Sequence, residues 1–128
     1  MNKFASWAIG IIVLVAIVGG MIWYASGPGE YDQFATCIKN SGATFFGAFW
    51  CPHCQAEKQL FGKSWTKLPY VECSTPDGRS QTTVCQDNNI QSYPTWQFKD
   101  GSRQTGTLSL EQLSQFTGCA LPQAGQSQ

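Results

Sequence analysis

Cys51 and Cys54 stand three positions apart in the run Trp50-Cys51-Pro52-His53-Cys54. Two thiols at that spacing can close a reactive disulfide, begin a zinc site or attach a haem. Zinc needs four ligands, usually as two close pairs. The chain has six cysteines and one histidine. That histidine lies inside the motif, and Cys73 and Cys85 are not a close pair, so no metal is expected. Covalent haem needs a histidine directly after the second cysteine, where this chain has Gln55. What remains is thiol–disulfide exchange, in which a thiolate attacks a disulfide sulfur and a second thiol resolves the mixed disulfide. It needs no cofactor.

Exchange requires a thiolate at an accessible mouth. Pro52 suits the first turn of a helix, where its missing N–H is harmless. Cys51 would then sit at a helix N-terminus, whose unpaired N–H groups and dipole favour negative charge. Cys54, one turn deeper, would be the resolving thiol. His53, if protonated or donating a hydrogen bond, would further stabilise the Cys51 thiolate; the plainer alternative is a solvated side chain of small effect. A more stable thiolate favours the dithiol and makes the disulfide the stronger oxidant, by about 1.4 kcal/mol per pKa unit.

The elements that must hold these thiols can be read around them. The apolar, aromatic run Ala43 to Phe49 suits a central strand covered on both faces. Tyr31 to Asn40 can form a short helix with Phe34, Ala35 and Ile38 on one face and Gly42 just past its end. The helix opened by Pro52 continues through Leu60 and Phe61 towards Trp65, with Gly62 a weak point. Pro69 to Cys73 reads as a second strand, Ser74 to Gly78 as a turn, and Thr82 to Asn88 as a short helix. Thr95 to Phe98 and Gln104 to Thr107 look like strands joined through Lys99-Asp100-Gly101-Ser102, an Asp-Gly hairpin signal. Ser109 caps a last helix carrying Leu110, Leu113 and Phe116, with Glu111 in its first turn. Strands alternating with helices, then a hairpin, imply a mixed sheet flanked by helices, an α/β fold.

The motif after an apolar strand, with Tyr93-Pro94-Thr95 about 40 residues later, resembles the thioredoxin superfamily. Gly47 to Cys54, Phe61-Gly62, Pro69 to Cys73, Cys85 and Tyr93 to Trp96, in that order, resemble one subgroup: the thioredoxin-like domain associated with bacterial and plant homologues of vitamin K epoxide reductase. The resemblance implies a cis bond before Pro94 opposite the thiols, leaving the neighbouring edge open to a substrate backbone; the alternative is an ordinary trans proline at a strand start. Tyr93 would line that groove and Trp50 pack beside Cys51, unless both are core aromatics. The resemblance also suggests a second disulfide, Cys73 with Cys85, either a relay for electrons or a staple around its loop. Cys37 and Cys119, near the two ends of the domain, remain as a possible clasp, or as free thiols or contacts to a partner. Two departures stand out. Phe45 occupies the place, six residues before Cys51, where ordinary thioredoxins carry a buried acid, so Glu57 or water would have to serve. And these residues hold one apolar span rather than the multi-helix quinone-reducing domain, so any such oxidase is expected to be a separate protein.

Location follows from the N-terminus. Phe4 to Tyr24 is 21 residues without a formal charge, roughly 31 Å as a helix and enough to cross a hydrocarbon core. Trp7 lies near one end and Trp23-Tyr24 at the other, where amphipathic rings suit the interface. A buried core helix would be out of scale for a domain of about 100 residues. A cleaved signal would have a shorter apolar core and a small-residue site, whereas Trp23 is bulky and cleavage after Gly27 would leave Pro28 beside the cut. We therefore expect an uncleaved anchor at 1–25, a linker at 26–30, one domain at 31–119 and a flexible tail at 120–128. Lys3 precedes the span while Glu30 and Asp32 follow it, which keeps the N-terminus cytoplasmic and exports the rest. Six cysteines agree with an oxidising location. With the resemblance, this implies a single-pass protein of a bacterial-type plasma membrane.

Eight basic and eight acidic residues balance, and without Lys3 the exported part has a net charge near −1. No basic footprint for nucleic acid is present. The expected function is oxidation of thiols in secreted client proteins, with recharging by a quinone-linked membrane oxidase of the vitamin K epoxide reductase type. The rivals are an anchored reductase or isomerase, as in cytochrome c maturation, and a redox-inactive structural module.

Overall fold

The structure, a computed structural model, describes residues 3–123. It opens with helix α1 (Lys3–Ala25), whose segment Phe4–Ala25 is long and apolar enough to span a membrane and is not buried against the rest of the chain. Ser26 Oγ donates to Ile22 O (2.7 Å) and Lys63 Nζ donates to Tyr24 O (2.9 Å), so the end of α1 touches the following domain. Tyr31 N–H then donates to the buried Ser64 Oγ at 3.0 Å, tying the linker down at its far end.

Strand β1 (Thr44–Gly47) is the axis of a four-stranded sheet of order β2-β1-β3-β4. It pairs in parallel with β2 (Tyr70–Glu72), Phe45 opposite Tyr70, and antiparallel with β3 (Thr95–Gln97), Phe45 opposite Trp96. Strand β4 (Arg103–Thr105) completes the hairpin with β3. Successive side chains of β1 face opposite sides. Phe45 enters the main core with Phe34, Ile38, Phe61, Trp96 and Leu113, while Phe46 enters a second cluster with Cys73, Cys85 and Ile90. This is why the run carries no alternation: both faces of its strand are covered.

Helix α2 (Asp32–Asn40) buries Phe34, Ala35 and Ile38, the three residues placed on its apolar face. Helix α3 (Pro52–Leu60) stops earlier than its pattern suggests; Gly62 takes φ +52°, and the chain continues as a 3₁₀ turn over Gly62–Lys67. Helix α4 (Thr83–Asp87) is short. The hairpin tip is held by Asp100, whose carboxylate accepts from Ser102 N–H (2.9 Å) and Oγ–H (2.6 Å), with Gly101 at φ +84°. Strand β4 begins and ends before the expected Gln104 to Thr107. Gly106 N–H still donates to Pro94 O at 2.9 Å, in the register that pairs Thr95 with Thr105, but Pro94 has no N–H to return the bond. Helix α5 (Leu110–Thr117) starts at a reciprocal cap, Ser109 Oγ accepting from Gln112 N–H and the Gln112 side chain accepting from Ser109 N–H. The mixed sheet flanked by helices is the architecture that the resemblance implies. Residues 120–123 have no regular structure, and the remainder of the expected tail lies outside the described residues.

Among the described residues one disulfide joins the two ends of the domain and another closes an internal loop. Cys37 on α2 bonds to Cys119 beyond α5, with Cα atoms 5.9 Å apart, and Cys73 after β2 bonds to Cys85 on α4 at 5.5 Å.

Candidate functional site

The end of β1 leads directly into the thiols. Cys51 is the N-cap of α3, with extended backbone (φ −79°, ψ +117°), and its Sγ accepts the Cys54 N–H at 3.3 Å. An unpaired N–H of the helix start thus points at the sulfur, as a thiolate requires. Pro52 follows at N1. Cys51 and Cys54 are free thiols; Cys51 keeps 4% of its surface exposed and Cys54 none. Only the first is placed to meet another molecule.

Burial above all, and then the adjoining Cys51 thiol, push the Cys54 thiol up to about 12; a backbone hydrogen bond at Ala48 and the Lys58 cation act the other way. Glu57 is absent from the groups acting on Cys54. Its carboxylate is fully buried, one oxygen accepting from Trp96 Nε1–H (3.2 Å) and the other from Leu108 N–H (2.8 Å). The Glu57 carboxyl titrates at about 7, raised by burial against those two hydrogen bonds. Glu57 thus bonds the start of the last helix to the core, and the stacked pair Phe45 and Trp96, 4.7 Å apart, occupies the wall beneath the thiols.

Around the mouth, Phe49 and Trp50 are about half exposed. Trp50 Nε1–H donates to Ser74 Oγ at 2.9 Å, and the Tyr93 ring meets Trp50 edge-on at 5.9 Å. Gln81 Nε2–H donates to the Tyr93 hydroxyl (2.6 Å) and to Ile90 O (2.8 Å). Trp50 and Tyr93 therefore stand together, braced by the loop that Cys73 and Cys85 close. The Tyr93-Pro94 peptide is cis, and Pro94 is fully buried. His53 is exposed; its carbonyl accepts from Thr107 Oγ1–H at 3.5 Å, and its imidazole has no hydrogen bond among the described residues. Cys73 and Cys85 are fully buried against Phe46 and Ile90, with Tyr93 packed on their cluster and on the main one. Cys37, within α2, and Cys119, just past α5, are joined to each other rather than to the site.

Sequence reasoning missed three neighbours of the thiols. The Lys58 ammonium lies 3.6 Å from the centre of the Tyr70 ring. Tyr70 donates its hydroxyl to Glu72 Oε2 at 2.7 Å, and Glu72 Oε1 accepts from Phe49 N–H (3.2 Å) and Ser74 N–H (2.9 Å). Glu72 thereby fastens the backbone on which the mouth is built. The Cys54-to-Lys58 spacing of four on a helix was visible as a shared face; the Tyr70 contact arises only when β2 pairs with β1.

Residues 30–117 match the family model described as Thioredoxin. The chain is 39% identical over 95 residues to the thiol-disulfide oxidoreductase LTO1 of Arabidopsis thaliana, covering 70% of this chain and 25% of that protein. It is 28% identical over 108 residues to a protein disulfide-isomerase of Aspergillus oryzae, covering 74% of this chain and 20% of that one. This chain thus spans a quarter or less of the length of these relatives. Among solved structures, thioredoxin O2 of Arabidopsis thaliana in the oxidized state aligns with a TM-score of 0.35 at 16% identity, over 68% of this chain and 84% of that one.

Proposed function

The chain belongs to the thioredoxin family, and from that membership we propose that it is a membrane-anchored, extracytoplasmic thiol–disulfide oxidoreductase that oxidises client proteins. The observation that carries this reading is the asymmetric pair at the start of α3: a slightly exposed Cys51 facing a helix N–H, and a sealed Cys54 one turn below. A client thiolate attacks Cys51 Sγ of the oxidised pair, the Cys51–Cys54 bond breaks, and Cys54 departs as a thiolate and takes up a proton. A second client thiolate attacks the client sulfur of the mixed disulfide, the bond to Cys51 breaks, and the client leaves with a disulfide. Two electrons have then passed from the client to the cysteine pair. A disulfide-bearing, quinone-linked membrane oxidase of the vitamin K epoxide reductase type receives them and recharges the pair.

The aromatic rim of Phe49, Trp50 and Tyr93, beside cis-Pro94, supports docking of an extended client segment next to Cys51. Anchoring is supported by the span Phe4–Ala25, with mean hydropathy 2.4, and the outward orientation by Lys3 before it and Glu30 and Asp32 after it. The Cys73–Cys85 bond is a staple in this reading, since neither sulfur's residue has exposed surface for exchange. Cys37–Cys119 is a clasp between the domain's ends.

Cys54→Ser in cells tests the function: client proteins should accumulate as mixed disulfides on Cys51, and vanish with Cys51→Ala. Trapped proteins that lack cysteine pairs, or no trapping at all, would sink it. Direction is read by equilibrating the purified chain with glutathione. An oxidant is mostly dithiol in a moderately oxidising buffer; a reductase, or a module with an inert bond, stays disulfide.

A further inference from the structure

The geometry points to Lys58 as a positioning residue for Cys54, a role that rests on the oxidoreductase reading: held across the Tyr70 ring one turn beyond Cys54, its ammonium stabilises the Cys54 thiolate. That thiolate must exist twice per cycle. When a client thiolate bonds to Cys51, the electron pair of the broken Cys51–Cys54 bond stays on Cys54. When the pair is recharged, Cys54 gives its proton to water, attacks Cys51 Sγ and expels the oxidant's thiolate.

Cys54 has no exposed surface and lies among apolar side chains, where an uncompensated thiolate is costly. No carboxylate relieves it, because Phe45 lines the wall and both Glu57 oxygens are engaged elsewhere. Lys58 follows Cys54 by four residues on α3 and therefore shares its face. Its Nζ is 3.6 Å from the Tyr70 ring centre and 4.6 Å from that of Trp65, so a side chain that usually extends into water is folded back against two rings. Tyr70 and Cys54 flank Gly47: a methyl group placed there would stand 2.9 Å from Tyr70 Cε2 and 3.0 Å from Cys54 Sγ. The ring therefore carries the cation and lies across Gly47 from the thiol. Glu72, bonded to the Tyr70 hydroxyl and to two backbone N–H groups, keeps that ring in place. The titratable groups facing Cys54 are Cys51 and Lys58 from α3 and Tyr70 from β2. A backbone hydrogen bond at Ala48 and then the Lys58 ammonium oppose the effect of burial, and the Glu72 carboxylate of β2 faces Lys58 in turn.

The test isolates the Cys54 step in the full chain in detergent. Reduced protein is loaded at Cys51 with an aromatic disulfide that leaves a coloured thiolate, and release of that thiolate by Cys54 is followed by stopped flow across pH. In Lys58→Met the rising limb should be about tenfold slower and its midpoint about one unit higher. Lys58→Arg should restore most of the rate, and Tyr70→Leu, which removes the ring beneath the ammonium, should resemble Lys58→Met. Lys58→Gln gives the same reading if the Met variant does not fold. Profiles of Lys58→Met or Lys58→Gln that overlay the native one, or that fall in rate without moving the midpoint, overturn the proposal. Failure of the oxidoreductase reading looks different: native protein would release the thiolate with its Lys58 dependence intact, yet oxidise no client dithiol.

Discussion

Glu57 makes stability depend on pH in a direction opposite to most carboxylates. Burial raises its carboxyl from 4.5 to about 7, against the hydrogen bonds from Leu108 N–H and Trp96 Nε1–H. The folded protein therefore holds this proton more tightly than the unfolded chain does. The contribution is fully present below pH 4.5, fades as pH rises, and is lost above about 7. A difference of about 2.5 units corresponds to about 3 kcal/mol. Glu57→Gln removes the titration. Its single carbonyl can satisfy only one of the two donors and its amide nitrogen faces the other, costing about 1–3 kcal/mol at low pH. The stability difference should therefore shift by about 3 kcal/mol in favour of the variant between pH 4.5 and pH 8, so that the variant equals or overtakes the native protein above about pH 7, whatever the remaining groups contribute to each curve alone. Urea titration of the full chain in nonionic detergent, read by tryptophan fluorescence with Cys51 and Cys54 kept reduced, measures the gap. A constant gap across that window refutes the reasoning. The same variant should leave the pH midpoint of the Cys54 step unmoved, because the Glu57 oxygens are committed to Trp96 and Leu108.

Gly47→Ala forces a methyl group against Tyr70 and Cys54 and should cost about 1–3 kcal/mol; an unchanged thermal midpoint would contradict the close approach described. Removing the Cys37–Cys119 bond with two alanines frees a separation of 82 residues, against 12 for Cys73–Cys85. Chain-entropy arithmetic gives losses of about 4.5 and about 3 kcal/mol respectively, to be compared by denaturant titration; a larger loss for the shorter loop would contradict that entropic account. The Cys73→Ala/Cys85→Ala protein should still exchange disulfides at Cys51 at a temperature where it remains folded, and loss of client oxidation there would make that bond a relay. Ser109→Ala should cost about 1 kcal/mol through the lost cap of α5, visible in the same titration, and no loss would mean that Gln112 does not need its partner.

Much of the architecture was local enough to read from the chain. Pro52 before a helical pattern placed Cys51 at an N-cap, Asp100-Gly101 placed the hairpin, and Ser109 placed the last helix, because each signal acts within a few residues of itself. Boundaries were less legible. Helix α3 stops at Leu60 because Gly62 adopts a positive φ and the chain tightens into a 3₁₀ turn, and β4 stops at Thr105 because Pro94, opposite Gly106, has no N–H to return the ladder bond. Gln112, three residues after Ser109, is the other half of that cap and equally local.

By itself the sequence determined the chemistry available: two thiols at a helix start, Phe45 in place of a nearby acid, and an apolar span that could carry them to a membrane. Tertiary structure decided how that chemistry is managed. Parallel pairing of β1 with β2 sets Tyr70 opposite Phe45 and across Gly47 from Cys54, and the ring holds the Lys58 ammonium. The same packing engages both oxygens of Glu57, which the sequence had offered as a proton acceptor, with donors from Trp96 and Leu108. Spacing along one helix can show that a cation and a thiol share a face. Which carboxylate is engaged, and which cation is held, depends on contacts between residues far apart in the chain, and those exist only once the sheet has formed.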